Sequence, residues 1–165
     1  MGYFCKENLE KKVFVSWEKL DRLCRLLVEK IRKDRFEPEI IVAVSRGGLV
    51  PAQIISHALK NNELYVIKVE YYKDDIANAD IEQNKEPIIV QKLDRSIEGK
   101  RVLVVDEVTD SGATALAVKK YIESLKPKEV RFLTVHYKPW SKFKPDYYAE
   151  EAEGWVVYPW SSVRK

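Results

Sequence analysis

Strands alternate with helices along this chain, and the fold class they predict is α/β: a mainly parallel central sheet flanked by helices, with a small C-terminal hood. Three observations predict it. Short apolar runs rich in β-branched residues recur between segments of helical period. Two of those runs, Ile40 to Val44 and Val102 to Val105, lead into glycine-containing turns and then helices, the sequence form of right-handed βαβ units. A length of 165 residues with 45% hydrophobic composition is that of one domain able to bury a core.

The elements follow in order. Val13 to Val15 read as a short strand, and Ser16 is placed to cap a helix whose apolar residues Trp17, Leu20, Cys24, Leu27 and Ile31 recur at helical spacing. That helix ends near Asp34. Ile40 to Val44 is a buried strand, Ser45-Arg46-Gly47-Gly48 its turn, and about Val50 to Lys60 the helix after it. Leu64 to Val69 is another strand. Tyr71 to Pro87 is polar, charged and without sustained period; it reads mostly as loop, long for a compact domain and of the kind that covers active sites. Ile88 to Val90 is a strand stub, Val102 to Val105 a buried strand, Ala113 to Leu125 a helix and Val130 to His136 a further strand. The tail from Tyr147 to Trp160 carries Trp155, Tyr158 and Trp160 and reads as an aromatic flap rather than another βαβ unit. The chain, 1–165, is then a single domain whose hood is formed by about residues 1–16 and 140–165.

Composition excludes several function classes. Lys plus Arg number 29 against 26 Asp plus Glu, too small an excess to name nucleic acid as the partner, so any basic site must be local. Two cysteines, Cys5 and Cys24, cannot build a disulfide framework. No apolar run approaches the roughly 20 residues of a membrane span, and the N-terminus lacks the apolar stretch of a signal peptide. A cytoplasmic protein without a membrane partner is expected. Charged residues at 33%, rich in Lys and Glu, lean toward a thermophilic source.

The segment that carries most chemistry is Arg101 to Thr114, R-V-L-V-V-D-E-V-T-D-S-G-A-T. An apolar strand empties into Asp106 and Glu107, Asp110 follows, and then a hydroxyl-bearing turn. Such a strand also describes the Walker B element of P-loop ATPases, but the G-x-x-x-x-G-K-[ST] loop which that reading requires occurs nowhere. None of the six glycines forms the G-x-G of a dinucleotide site. His57 and His136 are the only histidines, without H-E-x-x-H, C-x-x-C or G-x-S-x-G motifs, and both read as ordinary polar residues.

What remains is a site of hard oxygen ligands and phosphate-binding turns. Paired carboxylates suit Mg²⁺ held partly by substrate oxygens, because that ion rarely receives a full protein cage. Asp110 to Thr114 offers backbone N–H groups, the Ser111 and Thr114 hydroxyls, a permissive Gly112 and the positive end of the next helix, the parts of a phosphate cradle. Ser45 to Gly48 adds exposed N–H groups and the Arg46 guanidinium, which can meet a pyrophosphate. Both turns fall at the carboxyl ends of predicted strands, where ligands bind in parallel sheets.

Val102 to Thr114 closely resembles the phosphoribosyl pyrophosphate signature of type I phosphoribosyltransferases, in which apolar residues precede two acids, two spacers, an acid and a hydroxyl-glycine turn. Other segments extend the resemblance to the purine branch and its short xanthine-guanine type. They are Phe14-Val15-Ser16-Trp17, Ala43-Val44-Ser45-Arg46-Gly47-Gly48-Leu49-Val50-Pro51, Tyr137-Lys138-Pro139 and Trp155-Val156-Val157-Tyr158-Pro159-Trp160, in the order expected of that family. The resemblance implies the type I phosphoribosyltransferase fold, and transfer of a ribosyl 5-phosphate from phosphoribosyl pyrophosphate to a purine nitrogen in purine salvage. Pyrophosphate leaves through a transition state resembling an oxocarbenium ion.

Carried over by position, Asp106 and Glu107 hold the ribose hydroxyls and are the candidate Mg²⁺ ligands, Glu107 directly or through water. Asp110 lies by purine N7 as general base, and Ser111, Gly112, Ala113 and Thr114 bind the 5′-phosphate. Ser45, Arg46, Gly47 and Gly48 form the pyrophosphate loop, with a cis peptide expected at Ser45–Arg46. Lys138 donates to the purine 6-oxygen, Trp155 stacks on the base, and the backbone at Val156 reads the C2 substituent. Lysine cannot accept a hydrogen bond, so Lys138 favours a 6-oxo group over the 6-amino group of adenine.

This chain departs from the family in places: Glu107 stands where many members have Asp, Ser111 where Thr is commoner, and Tyr71-Tyr72 where a Ser-Tyr pair is usual. Tyr72 is the one residue of the covering loop suspected of reaching the substrate. A homodimer or homotetramer follows from the resemblance alone. Two alternatives stay open: adenine or a pyrimidine as acceptor, and an RNA-binding regulator on the same fold.

Overall fold

The structure, a computed structural model, describes residues 11–71 and 86–161. β1 (Lys12–Phe14) leads through Ser16 into α1 (Trp17–Lys33). Ser16 Oγ accepts from the Lys19 N–H at 3.1 Å, satisfying a first-turn donor, and Asp34 is the C-cap. After α1 come β2 (Ile40–Ser45), α2 (Leu49–Leu59), β3 (Leu64–Tyr71), β4 (Pro87–Gln91), β5 (Arg101–Thr109) and α3 (Ala113–Ser124). β6 (Glu129–Tyr137), β7 (Tyr147–Glu151), β8 (Trp155–Val157) and a 3-10 turn at Pro159–Ser161 complete the described chain.

Six strands form the central sheet in the order β4-β3-β2-β5-β6-β7, parallel throughout except for the antiparallel β3–β4 pair. The α/β class and mainly parallel sheet are those the sequence predicts. Side chains of the middle strands alternate between two apolar clusters, as the two-residue period of a strand requires. Ile41, Ala43, Leu103 and Val105 face α1 and α2, packing with Leu20, Leu27, Ile31, Ala52 and Ile55. Ile40, Val42, Val44, Val102 and Val104 face the other way, packing with Val118 and Ile122 of α3. Covered on both sides, these strands can be continuously apolar.

Two features differ from the sequence expectation. β5 does not stop at Val105: Asp106 pairs with Thr134, Val108 with His136 and Thr109 with Tyr137, because β6 runs on beside it. The tail is not solely an aromatic flap, since Tyr147–Glu151 adds a sixth strand to the main sheet, parallel to β6, with Tyr147 buried. The rest of the tail supplies β8, which pairs in parallel with β1 as a separate two-stranded sheet. Most of the loop predicted from Tyr71 to Pro87, Tyr72 included, lies outside the described residues, and its two ends belong to β3 and β4. Among the described residues no helix is long and apolar enough to cross a membrane.

Leu27 and Leu26 are neighbours on α1 with opposite fates, Leu27 fully enclosed and Leu26 exposed. Leu27→Ala should lower unfolding free energy by about 2–5 kcal/mol, read as a lower urea midpoint at unchanged slope. Leu26→Ala should stay within about 0.5 kcal/mol of the parent. Equal losses would contradict the assignment of the buried face.

Candidate active site

β2 accompanies β5 in register only from Ile40 opposite Val102 to Ala43 opposite Val105, whereas β6 continues to the Thr109–Tyr137 pair. Past Val105, β5 therefore has a partner on one side and a turn, residues 45–48, on the other. The Ser45–Arg46 peptide is cis, as the resemblance implies. The Gly48 N–H donates to the Val44 carbonyl at 2.9 Å, opening the turn into α2. A Cβ on Gly48 would overlap the Val105 and Val44 carbonyl oxygens, and one on Gly47 would overlap the Glu107 carboxylate. Glycine at both positions lets the turn lie directly against β5 and its acids.

The second turn follows β5. Gly112 has φ 87°, a left-handed conformation that favours glycine, and it immediately precedes α3. Ser111 Oγ accepts from the Ala113 N–H at 3.3 Å, and the Ser111 carbonyl accepts from the Lys142 N–H at 3.1 Å, tying this turn to the segment after β6. The helix dipole adds positive potential at the same end.

Both turns open on one cavity of about 230 Å³. Ser45, Arg46 and Gly47 line it from one side; Asp106, Glu107, Asp110, Ser111, Gly112 and Thr114 line it from the other. Gly48 and Ala113 are not on its wall: Gly48 is packed beneath the turn and Ala113 opens α3. A second cavity, about 300 Å³, is lined by Lys138, Trp155, Val156, Tyr158 and Trp160. Glu107, Val108 and Asp110 belong to both cavities and form the wall between them.

Charge is tightly placed here. Asp106 keeps part of its surface open, yet the protein packed around it and then the adjacent Glu107 carboxylate push its carboxyl well above the usual range. The Glu107 N–H partly offsets this by donating to Asp106 Oδ1 at 2.9 Å. Among the described residues no three His, Cys, Asp or Glu side chains gather as a metal cage. A hard cation at the Asp106–Glu107 pair would draw its other ligands from substrate and water, and would relieve the like-charge crowding.

Lys138 directly follows β6 and is turned inward. Its backbone N–H donates to the Thr109 carbonyl at 3.0 Å and its side chain is buried, with Nζ donating to the Gly154 carbonyl. Burial lowers the ammonium pKa and Asp110 opposes that shift. Trp155, by contrast, is exposed at the rim of the second cavity.

Sequence reading misses two contacts at this wall. The Trp140 indole Nε1–H donates to Asp110 Oδ1 at 3.1 Å, with Lys138 Nζ 5.4 Å from the centre of the indole ring. The Tyr158 hydroxyl donates to the Glu107 carbonyl at 2.7 Å. Nothing local marks either contact; only aromatic residues close to Lys138 and Trp155 in sequence offer a hint. Tyr72 lies outside the described residues.

Residues 15–161 match the Phosphoribosyl transferase domain, and the chain belongs to the phosphoribosyltransferase family. It is 32% identical over 153 residues to the xanthine-guanine phosphoribosyltransferase of Idiomarina loihiensis, across 91% of this chain and 87% of that protein. Among solved structures it is similar to the purine phosphoribosyltransferase of Pyrococcus horikoshii, with a TM-score of 0.80 and 36% identity over 90% of this chain and 93% of that one. A Neisseria gonorrhoeae hypothetical protein with bound ppGpp is also similar, with a TM-score of 0.80 and 28% identity over 93% and 91% of the two chains.

Gly48→Ala tests the close packing of the first turn against β5. It should cost about 1–3 kcal/mol in urea unfolding, since two backbone oxygens must move. A change below about 0.5 kcal/mol would show that the turn does not bear on β5 in this way.

Proposed function

We propose that this chain is a purine-salvage enzyme that transfers the 5-phosphoribosyl group of phosphoribosyl pyrophosphate to a 6-oxopurine: hypoxanthine, guanine or xanthine. The products are the nucleoside monophosphate and pyrophosphate. The observation that carries the reading is the common wall: Glu107, Val108 and Asp110 line both the cavity of the two turns and the cavity of Lys138 and Trp155. A ribosyl group in the first cavity would meet a base in the second across that wall.

In this reading residues 111–114 grip the 5′-phosphate through N–H groups and hydroxyls, and Ser45, Arg46 and Gly47 receive the pyrophosphate, with the Arg46 guanidinium, on a turn that Gly48 lets pack against β5. Asp106 and Glu107 accept hydrogen bonds from the ribose hydroxyls. Mg²⁺ at these carboxylates would supply countercharge to the departing pyrophosphate. As the C1′–oxygen bond breaks, the purine N9 lone pair forms the new bond to C1′, and Asp110 accepts the proton leaving N7. Trp140, bonded to one Asp110 oxygen, leaves the other for that proton.

Lys138 has three N–H donors, one of them engaged by Gly154; the others suit a 6-oxo acceptor and do not suit a 6-amino donor. Trp155 offers the flat face for stacking, and the backbone at Val156 reads C2. The neighbour's ligand ppGpp is a guanosine bearing two diphosphates, so it combines the same purine, ribose and phosphate parts. A cytoplasmic homodimer or homotetramer, and a hood drawn from about residues 1–16 and 140–165 apart from β7, which joins the main sheet, belong to the same proposal. The β1–β8 pairing supports the hood.

Turnover with each base in turn tests the reading: phosphoribosyl pyrophosphate, Mg²⁺ and hypoxanthine, guanine, xanthine, adenine or uracil, with nucleotide formation followed. Product is expected with the 6-oxopurines. Activity confined to adenine would overturn the role of Lys138, and no activity with any base would favour the RNA-binding alternative. Asp110→Asn should keep the fold and much of the phosphate binding while kcat falls by about 10²-fold or more. Near-normal turnover would remove Asp110 as the general base.

A further inference from the structure

Tyr158 has no role in the reaction outlined above, yet few side chains at the site are held as firmly. It is buried, its hydroxyl 2.7 Å from the Glu107 carbonyl oxygen and 2.8 Å from His136 Nδ1. A carbonyl can only accept, so the single phenolic proton goes to Glu107. The phenolic oxygen must then accept from His136, which fixes the imidazole as its Nδ1–H tautomer. Nε2 of His136 carries a lone pair and is fully enclosed, without a hydrogen-bond partner among the described residues. The Glu150 carboxylate stands 3.6 Å from it and is itself paired with Lys19 of α1 at 2.8 Å. Burial pushes the imidazole pKa down to about 4, in keeping with a neutral ring.

The ring of Tyr158 is fixed as well. It stacks on Trp160 with centroids 4.6 Å apart and planes 5° from parallel, and Trp160 meets Trp17 of α1 at 6.3 Å. His136 lies opposite Val108 in the β5–β6 ladder. One phenol thus joins the segment bearing Trp155 and Val156 to the backbone of Glu107, in the part of β5 that extends past its register with β2.

We infer that Tyr158, oriented by the Nδ1–H of His136, is a positioning residue that sets the separation between the purine seat and the ribose-binding carboxylates. The inference rests on the proposed function, which puts the base at Trp155 and the ribose at Asp106 and Glu107. Its consequence is geometric. Glycosyl transfer needs the purine nitrogen within about 3–3.5 Å of C1′, and a misplacement near 1 Å can cost about 10²-fold in rate. Removing the hydroxyl breaks the direct bond between the base-bearing segment and β5 at Glu107 and removes no hydrogen bond of either phosphate-binding turn.

The test is steady-state kinetics of Tyr158→Phe with each substrate varied, beside His136→Leu and His136→Asn. Tyr158→Phe should lower kcat about 10-fold or more and raise KM for the purine, with KM for phosphoribosyl pyrophosphate moving less than about 2-fold. His136→Leu should follow the same pattern. His136→Asn should lose less than His136→Leu, because an asparagine amide can put an N–H near the Nδ1 position. In the unsubstituted protein, ¹⁵N NMR should find Nδ1 protonated and Nε2 bare.

Wild-type kinetics in Tyr158→Phe, equal rises in both KM values, or a proton on Nε2 would each overturn the inference while leaving the proposed function standing. An unsubstituted protein with no turnover on any base overturns both. Should Tyr158→Phe fail to fold, the NMR tautomer and the two His136 variants still decide.

Discussion

β2 stops keeping register with β5 at Val105, and β5 continues without it. That mismatch in length is the constraint on which the rest of the site depends. Where β2 would have continued, the chain turns through Ser45 to Gly48, close enough that a Cβ on Gly48 would overlap the Val105 carbonyl and one on Gly47 would displace the Glu107 carboxylate. Where β5 continues, Asp106 and Glu107 extend past the apolar layers that cover Val102 to Val105. A sheet whose strands ended together would offer a flat edge and no gap for a ligand.

The gap gathers charge that the free protein balances poorly. Two adjacent carboxylates share it, one driven upward in pKa by its surroundings, while the ammonium of Lys138 is buried beyond the wall and driven downward. Burying unmatched charge is costly in a folded chain, and sites with such perturbed groups are where ligands complete the balance. A cation with its phosphates would complete the acidic side. A purine carbonyl oxygen would complete the lysine side. Aromatic contacts join the halves: Trp140 bonds Asp110 and Tyr158 bonds Glu107, so the wall is held from the side of Lys138 and Trp155 as well as from the sheet.

Much of this architecture is legible in the chain because it is local. Ile40 to Val44 and Val102 to Val105 are apolar on both faces and bounded by turns, so strand, turn and helix can be read directly. Asp106 to Thr114 is a contiguous segment, and its members come to one cavity without any long-range fact being needed. The last residues of β5 are another matter, since Asp106 and Glu107 interrupt the apolar run and only pairing with β6 carries the strand to Thr109. β7, Y-Y-A-E-E, has no apolar run; it is a strand because β6 offers it an edge and Tyr147 a buried place. Trp140 and Tyr158 act across 30 and 51 residues of sequence, and no spacing rule connects an indole to Asp110 or a phenol to the carbonyl of Glu107. His136 looks ordinary in sequence for the same reason, its partner being 22 residues away, just past the end of β8.

A crystal structure of the protein with guanosine monophosphate, pyrophosphate and Mg²⁺ bears most directly on the joined cavities. The expected complex has the 5′-phosphate on residues 111–114, the ribose hydroxyls at Asp106 and Glu107, and the purine over Trp155 with its 6-oxygen within hydrogen-bond reach of Lys138 Nζ. A nucleotide whose ribose lies away from Asp106 and Glu107, or whose purine lies outside the cavity of Lys138 and Trp155, would contradict it.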